Sequence, residues 1–282
     1  MHRQPPETIG QNLHTSSTIV TAIVNHNTSK YAELALRSLL LTHTPPVSNP
    51  ALKITVLDNW SNDEGLAELK AAAEQFRVSF VNTRWPRHAT TLNTHGDALR
   101  DHVLANRDAS YYLFIDADVA VTDKGVVWRM INEIEQAKDA WAIQAQYDRG
   151  GTMNLDAGVE QRFEVHVDDW PVLRFNGSYG PRCHPAFTLV RNSPHFLRTV
   201  ESIGLGAGVI LSHDAELGGF YDTFGLASAA MKVCGFRYSL SSVRVRHFGN
   251  VSYEPSVPKA YEAQNMLVNC RRGLLPSDIC RS

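Results

Sequence analysis

Two carboxylates, Asp116 and Asp118, interrupt a run at 111–121 that is otherwise wholly aromatic, β-branched or small and apolar. A run of that composition reads as a strand buried on both faces, as in the parallel sheet of an α/β domain. Carboxylates cost several kcal/mol to desolvate unless a cation or hydrogen bonds compensate them. The pair therefore belongs at the carboxyl end of the strand, where parallel sheets place their ligands. Oxygen donors in an Asp-x-Asp arrangement suit Mg²⁺ or Mn²⁺, with the phosphates of a substrate completing the shell. A helix cap with a surface turn is the plain alternative, because Asp-x-Asp alone is a common tripeptide.

The preceding chain supplies elements able to position that pair. Residues 17–24 read as a strand, Asn25-His26-Asn27-Thr28 as its exit, and 30–41 as a helix with Ser29 at its cap. A second unit repeats the pattern, with a strand at 52–57, Asp58-Asn59 at its end, and a helix at 61–76. Ser61 and Glu64 have the spacing of a capping box and fit a helix start, whereas Asp58 lies at the carboxyl end of the strand, ahead of that cap. A third strand at 78–82 leads through 83–91 into a helix at 93–106 and then into the acidic strand. Strands alternating with helices predict a parallel sheet with right-handed crossovers.

Four pieces in this order, Ile-Val-Asn-His-Asn at 23–27, Val-Leu-Asp-Asn at 56–59, Asn-Thr-His-Gly at 93–96 and Leu-Phe-Ile-Asp-Ala-Asp at 113–118, give the chain a resemblance to a known family. It resembles the nucleotide-sugar glycosyltransferases of the GT-A fold, family-2-like, over roughly its first half. The resemblance implies a single α/β, Rossmann-like domain with a central, mostly parallel sheet flanked by helices. It implies that Asn25, Asn27 and Asp58 flank the nucleobase and ribose of a donor. Asp116 would lie near the ribose and a metal, with Ala117 beside it, and Asp118 would hold the metal that bridges the diphosphate. In the loop after the third strand, Arg84, Arg87 and His88 are phosphate candidates, since Arg favours forked contacts to phosphate. Asn93 and Gly96 fall at a helix start, where His95-Gly96 would bring backbone N–H groups near an anion.

Signals thin out in the second half. Residues 141–146 read as a strand, 147–156 as a Gly-rich polar loop, and 186–190 as a strand entered from 177–185. By analogy with the family, Tyr179 and His184 are acceptor-binding candidates. An inverting transfer needs a carboxylate to take the acceptor's proton. The resemblance implies an acidic residue before the last long helix of the domain, which makes Asp222, directly before a helical pattern at 224–234, the first choice, and Asp214 and Glu216 remain open. Asp222-Thr223 also has the form of a helix cap. A late strand at 238–246 ends at His247 before Phe248-Gly249, and the resemblance makes that imidazole a third metal ligand beside Asp116 and Asp118.

Length and composition set the outer bounds. At 282 residues with 43% hydrophobic content the chain can bury one large core. The expected division is a flexible tail at 1–16, a nucleotide-sugar-binding half at 17–122, an acceptor-binding and catalytic half at 123–254, and a C-terminal tail at 255–282 with a helical middle at 259–268. A net charge of −2 gives no nucleic-acid signature, and no segment reaches the length of a membrane span. Residues 1–16 lack an apolar signal core, and the 4 cysteines have no metal-type spacing. These features predict free thiols in a cytoplasmic protein, and they leave a homodimer open. The activity expected is metal-dependent transfer of a sugar from a UDP- or dTDP-sugar, by inverting displacement with an Asp base. A sugar-nucleotide pyrophosphorylase would want a Gly-rich, basic loop after the first strand, which Asn25-His26-Asn27-Thr28 lacks. A non-catalytic nucleotide- or carbohydrate-binding relative is the other alternative.

Overall fold

A computed structural model describes residues 18–43, 51–83, 91–148, 153–154, 183–210, 219–221, 223–249, 251 and 256–276. Strand β1 (Thr18–Asn25), helix α1 (Ser29–Thr42), β2 (Ala51–Asp58), α2 (Leu66–Gln75), β3 (Ser79–Asn82), α3 (Thr91–Leu104) and β4 (Tyr111–Asp116) follow the expected alternation. Next come β5 (Val119–Ala120), α4 (Val126–Gln136), β6 (Ala140–Asp148), β7 (Met153–Asn154), β8 (Phe187–Arg191) and α5 (Pro194–Ser202). The remaining elements are β9 (Gly208–Ile210), β10 (Gly219–Tyr221), α6 (Gly225–Val233), β11 (Arg237–His247) and α7 (Val257–Arg271).

The main sheet runs β3-β2-β1-β4-β8-β6-β11-β5, with β7 paired to β6. Strands β3, β2, β1 and β4 are mutually parallel, and β6 and β11 share their direction. Strand β8 lies antiparallel between β4 and β6, so the sheet is mostly parallel with a reversed strand at its centre. In β1, Ile19 and Ile23 pack with α1, α2 and α4, while Val20, Ala22 and Val24 pack with α3, α5 and α6. A strand covered on both faces has no wet side, which is why its sequence is continuously apolar.

Several expected boundaries moved. The strand expected over 111–121 breaks after Asp116: Ala117 and Asp118 turn, and β5 leaves to pair with β11. Val119, Ala120 and Val121 are as buried as the strand before them, so apolarity alone could not show the turn. The helix expected over 61–76 begins at Leu66, and its N-cap, Gly65, makes no side-chain cap hydrogen bond. Ser29 is likewise no cap but the first residue of α1, donating to Asp63 Oδ1 at 2.6 Å. Helix α4 buries Val126, Val127, Met130 and Ile134, and α5 starts at Ser193, which accepts from Phe196 N; neither helix was foreseen. The polar loop expected from 147 begins inside β6, which runs to Asp148.

The expected C-terminal tail contains α7, docked on α1 through Ala263, Leu267 and Cys270 against Leu34 and, beyond it, Phe248 and Ala120. Its anchor is electrostatic. Arg271 Nε and an Arg271 terminal nitrogen donate to the buried Glu33 carboxylate at 2.9 and 2.5 Å, and Arg37 Nε donates to it at 2.7 Å. Burial alone would raise the Glu33 carboxyl, but hydrogen bonds and charge from Arg271 and Arg37 outweigh it and hold the pKa below its ordinary 4.5. A depressed carboxylate contributes stability above its unfolded pKa and loses it as pH falls through the folded value. We therefore expect Glu33→Gln to lower unfolding stability by about 1–3 kcal/mol at neutral pH. In urea melts the gap from wild type should narrow below pH 4.5; a gap independent of pH would contradict the ionic anchor.

Candidate metal centre

The sheet's connectivity brings three potential ligands together. Asp116 is the last residue of β4, and Val24↔Asp116 and Asn25↔Asp58 are in register, so the carboxyl ends of β2, β1 and β4 line up. Strand β1 has β2 on one side and β4 on the other, reached by crossovers in opposite directions, which makes the β1/β4 boundary a topological switch point. Open α/β sheets bind ligands in the crevice at such a point. Beyond the two-residue turn, Val119 pairs with His247 and Ala120 with Arg246, and Phe248 N–H donates to Asp118 O at 2.9 Å. The imidazole of His247 is thereby set against the carboxylate of Asp118.

One ligand atom each from Asp116, Asp118 and His247 lie within 4.8 Å of one another. His247 Nε2 and Asp118 Oδ1 are 3.2 Å apart, and both residues are more than nine-tenths buried. Burial works to raise the Asp118 carboxyl, but the charge and hydrogen bond of His247, with backbone donors at Asp118 and Val251, outweigh it and lower the pKa. The carboxylate is therefore anionic at neutral pH. Among the described residues His247 Nδ1 is buried without a hydrogen-bond partner, on the ring edge away from the Nε2 that faces Asp118. Two hard oxygens and one imidazole nitrogen fit Mn²⁺ or Mg²⁺, and the cation would relieve the enclosed negative charge.

The second tier is aromatic. Tyr147 packs its ring on His247 at 4.9 Å and on His184 at 5.7 Å, and the two imidazoles lie 6.0 Å apart. His184 thus stands beside the cluster, its Nδ1 accepting from Ala186 N at 3.2 Å and its own N–H donating to Gln144 at 2.7 Å. Tyr31 sits edge-on to Phe248 at 5.4 Å. Its pKa is raised, by burial first and then by the nearby charges of Asp118 and Glu262.

Asn25 and Asp58 are buried and joined to each other. Asn25 Nδ2 donates to Asp58 Oδ1, Ser29 Oγ and Ser61 Oγ at 2.9–3.0 Å, and Asp58 Oδ2 accepts from Ser61 N at 3.2 Å. Asn27, in left-handed backbone at φ 54°, donates its N–H to Ser61 Oγ and accepts from Asn62 N. Ser61 is therefore a cross-brace between the two loops; the capping box expected of it does not form. Gly96 packs against the backbone of Gly206, so closely that an added Cβ would collide with it. Its structural need is close approach of α3 to the 205–206 loop. Position 93 falls in α3, with its side chain outside the described residues. Arg84, Arg87, His88, Tyr179, Asp214, Glu216 and Asp222 all lie outside them as well.

Two side chains at the site were not singled out from sequence. Trp60 is 49% exposed in left-handed backbone at φ 57°, its indole N–H donating to Thr83 O at 2.7 Å. An aromatic residue held at positive φ is a strained choice, and the Asn-Trp-Ser context after a strand end was the available clue. His95 places Nε2 3.3 Å from Asp116 Oδ1, which its neighbour Gly96 had drawn attention away from.

No protein-family model and no curated protein matches the chain. Solved structures do. The TarS fragment 1–349 of S. aureus aligns at TM-score 0.50 and 15% identity, over 89% of this chain and 64% of that one. The same fragment in complex with UDP-GlcNAc aligns at 0.51 and 15%, over 89% and 65%. The mannosyltransferase PcManGT of Pyrobaculum calidifontis, in complex with GDP-Man and Mn²⁺, aligns at 0.52 and 13%, over 94% and 65%. The likeness is one of fold, and it places the chain's architecture in the expected GT-A class. The chain spans 64–65% of the length of these structures.

The cluster makes a direct prediction. Calorimetric titration with Mn²⁺ should show one site in the wild type, and Asp118→Asn or His247→Ala should each weaken it at least about tenfold. Equal binding by all three proteins would remove the metal from this position.

Proposed function

We propose that the chain is a metal-dependent glycosyltransferase that moves a sugar from a nucleoside diphosphate sugar to an acceptor. The observation that carries this reading is the Asp116, Asp118 and His247 cluster, within 4.8 Å, at the switch point of a sheet whose fold is shared with TarS and PcManGT. TarS has been solved with UDP-GlcNAc and PcManGT with GDP-Man and Mn²⁺, which supports a sugar nucleotide as the donor class.

Each part of the site has work to do under that reading. A bound Mn²⁺ or Mg²⁺ would neutralise the charge that develops on the leaving diphosphate. Asp118 is already ionised and buried, so it can hold a cation without first releasing a proton. Asp116, at the rim, faces both the cation position and the donor's ribose. The Asn25, Asp58 and Ser61 brace holds the loops that frame the nucleobase, with Asn27 on one side and the exposed ring of Trp60 offering an apolar platform. A carboxylate such as Asp58 can accept the N3–H of uracil or thymine, so UDP- or dTDP-sugars are preferred over GDP-sugars. Arg87, Asn93 and Gly96 are assigned to the donor side, and His184 and Tyr179 to the acceptor side. The 17–122 half then binds the donor and the 123–254 half the acceptor. Asp222 takes the acceptor's proton in an inverting displacement, with Asp214 and Glu216 as the alternatives.

Thermal melting with UDP-, dTDP- and GDP-sugars, each with and without Mn²⁺, tests the donor assignment. A ligand at 100 times its Kd adds about 2.7 kcal/mol of stability, so the correct class should raise the melting temperature only when Mn²⁺ is present. A GDP-sugar response would overturn the pyrimidine preference, and no response to any donor would overturn the transferase reading. With a donor in hand, Asp222→Asn should reduce kcat by about 10²-fold or more. An unchanged rate would transfer the proton-accepting role to Asp214 or Glu216.

A further inference from the structure

His95 touches both halves of the site. From the first turns of α3 its Nε2 lies 3.3 Å from Asp116 Oδ1, and its Nδ1 lies 3.5 Å from Thr223 Oγ1. An ionised carboxylate can only accept, so the ring nitrogen facing Asp116 carries the hydrogen, and in the neutral ring Nδ1 is left to accept from the Thr223 hydroxyl. One planar ring thus spans the gap between the end of β4 and the turn that opens α6.

That turn is held unusually firmly. Phe224 is fully buried in left-handed backbone at φ 68°, a conformation a bulky residue adopts only when its surroundings impose it. Its N–H donates to Leu205 O at 3.0 Å, and its ring packs edge-on against Phe114, two residues before Asp116, at 5.1 Å. Leu205 in turn adjoins Gly206, against which Gly96, the neighbour of His95, is pressed. Three contacts between distant chain segments therefore converge: His95 with Thr223, Phe224 with Leu205, and Gly96 with Gly206.

We propose that His95 is a positioning residue which fixes the rotamer of Asp116 and the distance from that carboxylate to the Thr223–Phe224 turn. With one oxygen held by the imidazole, Asp116 presents the other in a single direction to the cation. The turn opens α6, so the same ring also sets the spacing between the cation site and the start of that helix, ahead of which, in sequence, the transferase reading assigns proton acceptance. The inference rests on the transferase reading for that second role, and on the metal cluster alone for the first.

The test uses the full chain and three variants, His95→Ala, His95→Gln and Thr223→Val, read by Mn²⁺ titration calorimetry, Mn²⁺ electron paramagnetic resonance and thermal melting. His95→Ala should weaken Mn²⁺ binding about tenfold or more, the usual cost of losing a group that orients a metal ligand. His95→Gln, whose amide can both donate and accept, should recover most of that affinity and restore the wild-type resonance line shape. Thr223→Val should leave Mn²⁺ affinity within about twofold of wild type and, with donor and acceptor supplied, lower kcat while leaving the donor KM in place. Should His95→Ala fail to fold, the Gln variant and Thr223→Val carry the comparison. Wild-type affinity in His95→Ala, or a Gln variant no better than Ala, would overturn the positioning role while leaving the transferase reading standing. Absence of Mn²⁺ binding in the wild type would overturn both.

Discussion

The rest of the structure depends on a link two residues long. Asp116 ends β4 and Val119 begins β5, yet β8, β6 and β11 lie between those strands in the sheet. Four interstrand steps in a flat sheet would cover about 19 Å. Three residues of fully extended chain span at most about 11 Å. The sheet must therefore curl until its last strand returns toward the fourth, and the curl is what carries His247, from the far end of the sequence, to the side of Asp118. The reversed β8 and the register shifts between β6 and β11 are where the sheet absorbs this curvature.

Several polar groups at the carboxyl rim of the sheet are buried, and they are bonded across neighbouring loops. Asn25, Ser61 and Asp58 hydrogen-bond to one another across the ends of β1 and β2, so the loops are braced without help from a ligand, and the Asp58 carboxylate keeps accepting capacity. The cation position differs because two carboxylates and an imidazole face one another there. Carboxylates converging in a partly enclosed place mark where a cation from outside would offset their charge. On the outer helices, Glu33 and its two arginines hold α7 against α1, and α7 backs Ala120 of β5 and Phe248, the residue after His247. The charge cluster on the outer helices thus supports the strand pair that builds the inner one.

The first half of the chain was largely legible in the sequence, because strands buried on both faces read as unbroken apolar runs and polar residues at their ends stand out against them. Asp116, Asp118 and Asp58 were visible for that reason. His247 was visible only through its order in the chain, since nothing local separates it from an ordinary histidine. Ser61 misled because a cap and a cross-brace use the same hydroxyl, and only the position of Asn25 and Asn27 decides between them. The turn at Ala117–Asp118 was hidden because Val119–Val121 are buried again immediately afterwards, against a different partner. His95 was read only for its backbone at a helix start; its side-chain role was hidden, because its two contacts lie 21 and 128 positions away.

The pairing of β5 with β11 also governs when the molecule becomes able to hold a cation. Its two strands are more than a hundred residues apart, and such non-local pairing forms slowly because loop-closure entropy must be overcome before contacts reward it. A growing chain that has emerged through β5 already has strands β1 to β4 and both aspartates, but not His247 beside them. Assembly of the ligand set thus waits for nearly the whole polypeptide, and domains of this size commonly pass through partly formed states on the way. A cation held by this cluster would therefore not template the fold early in biosynthesis; it would be captured only once β11 had returned to β5.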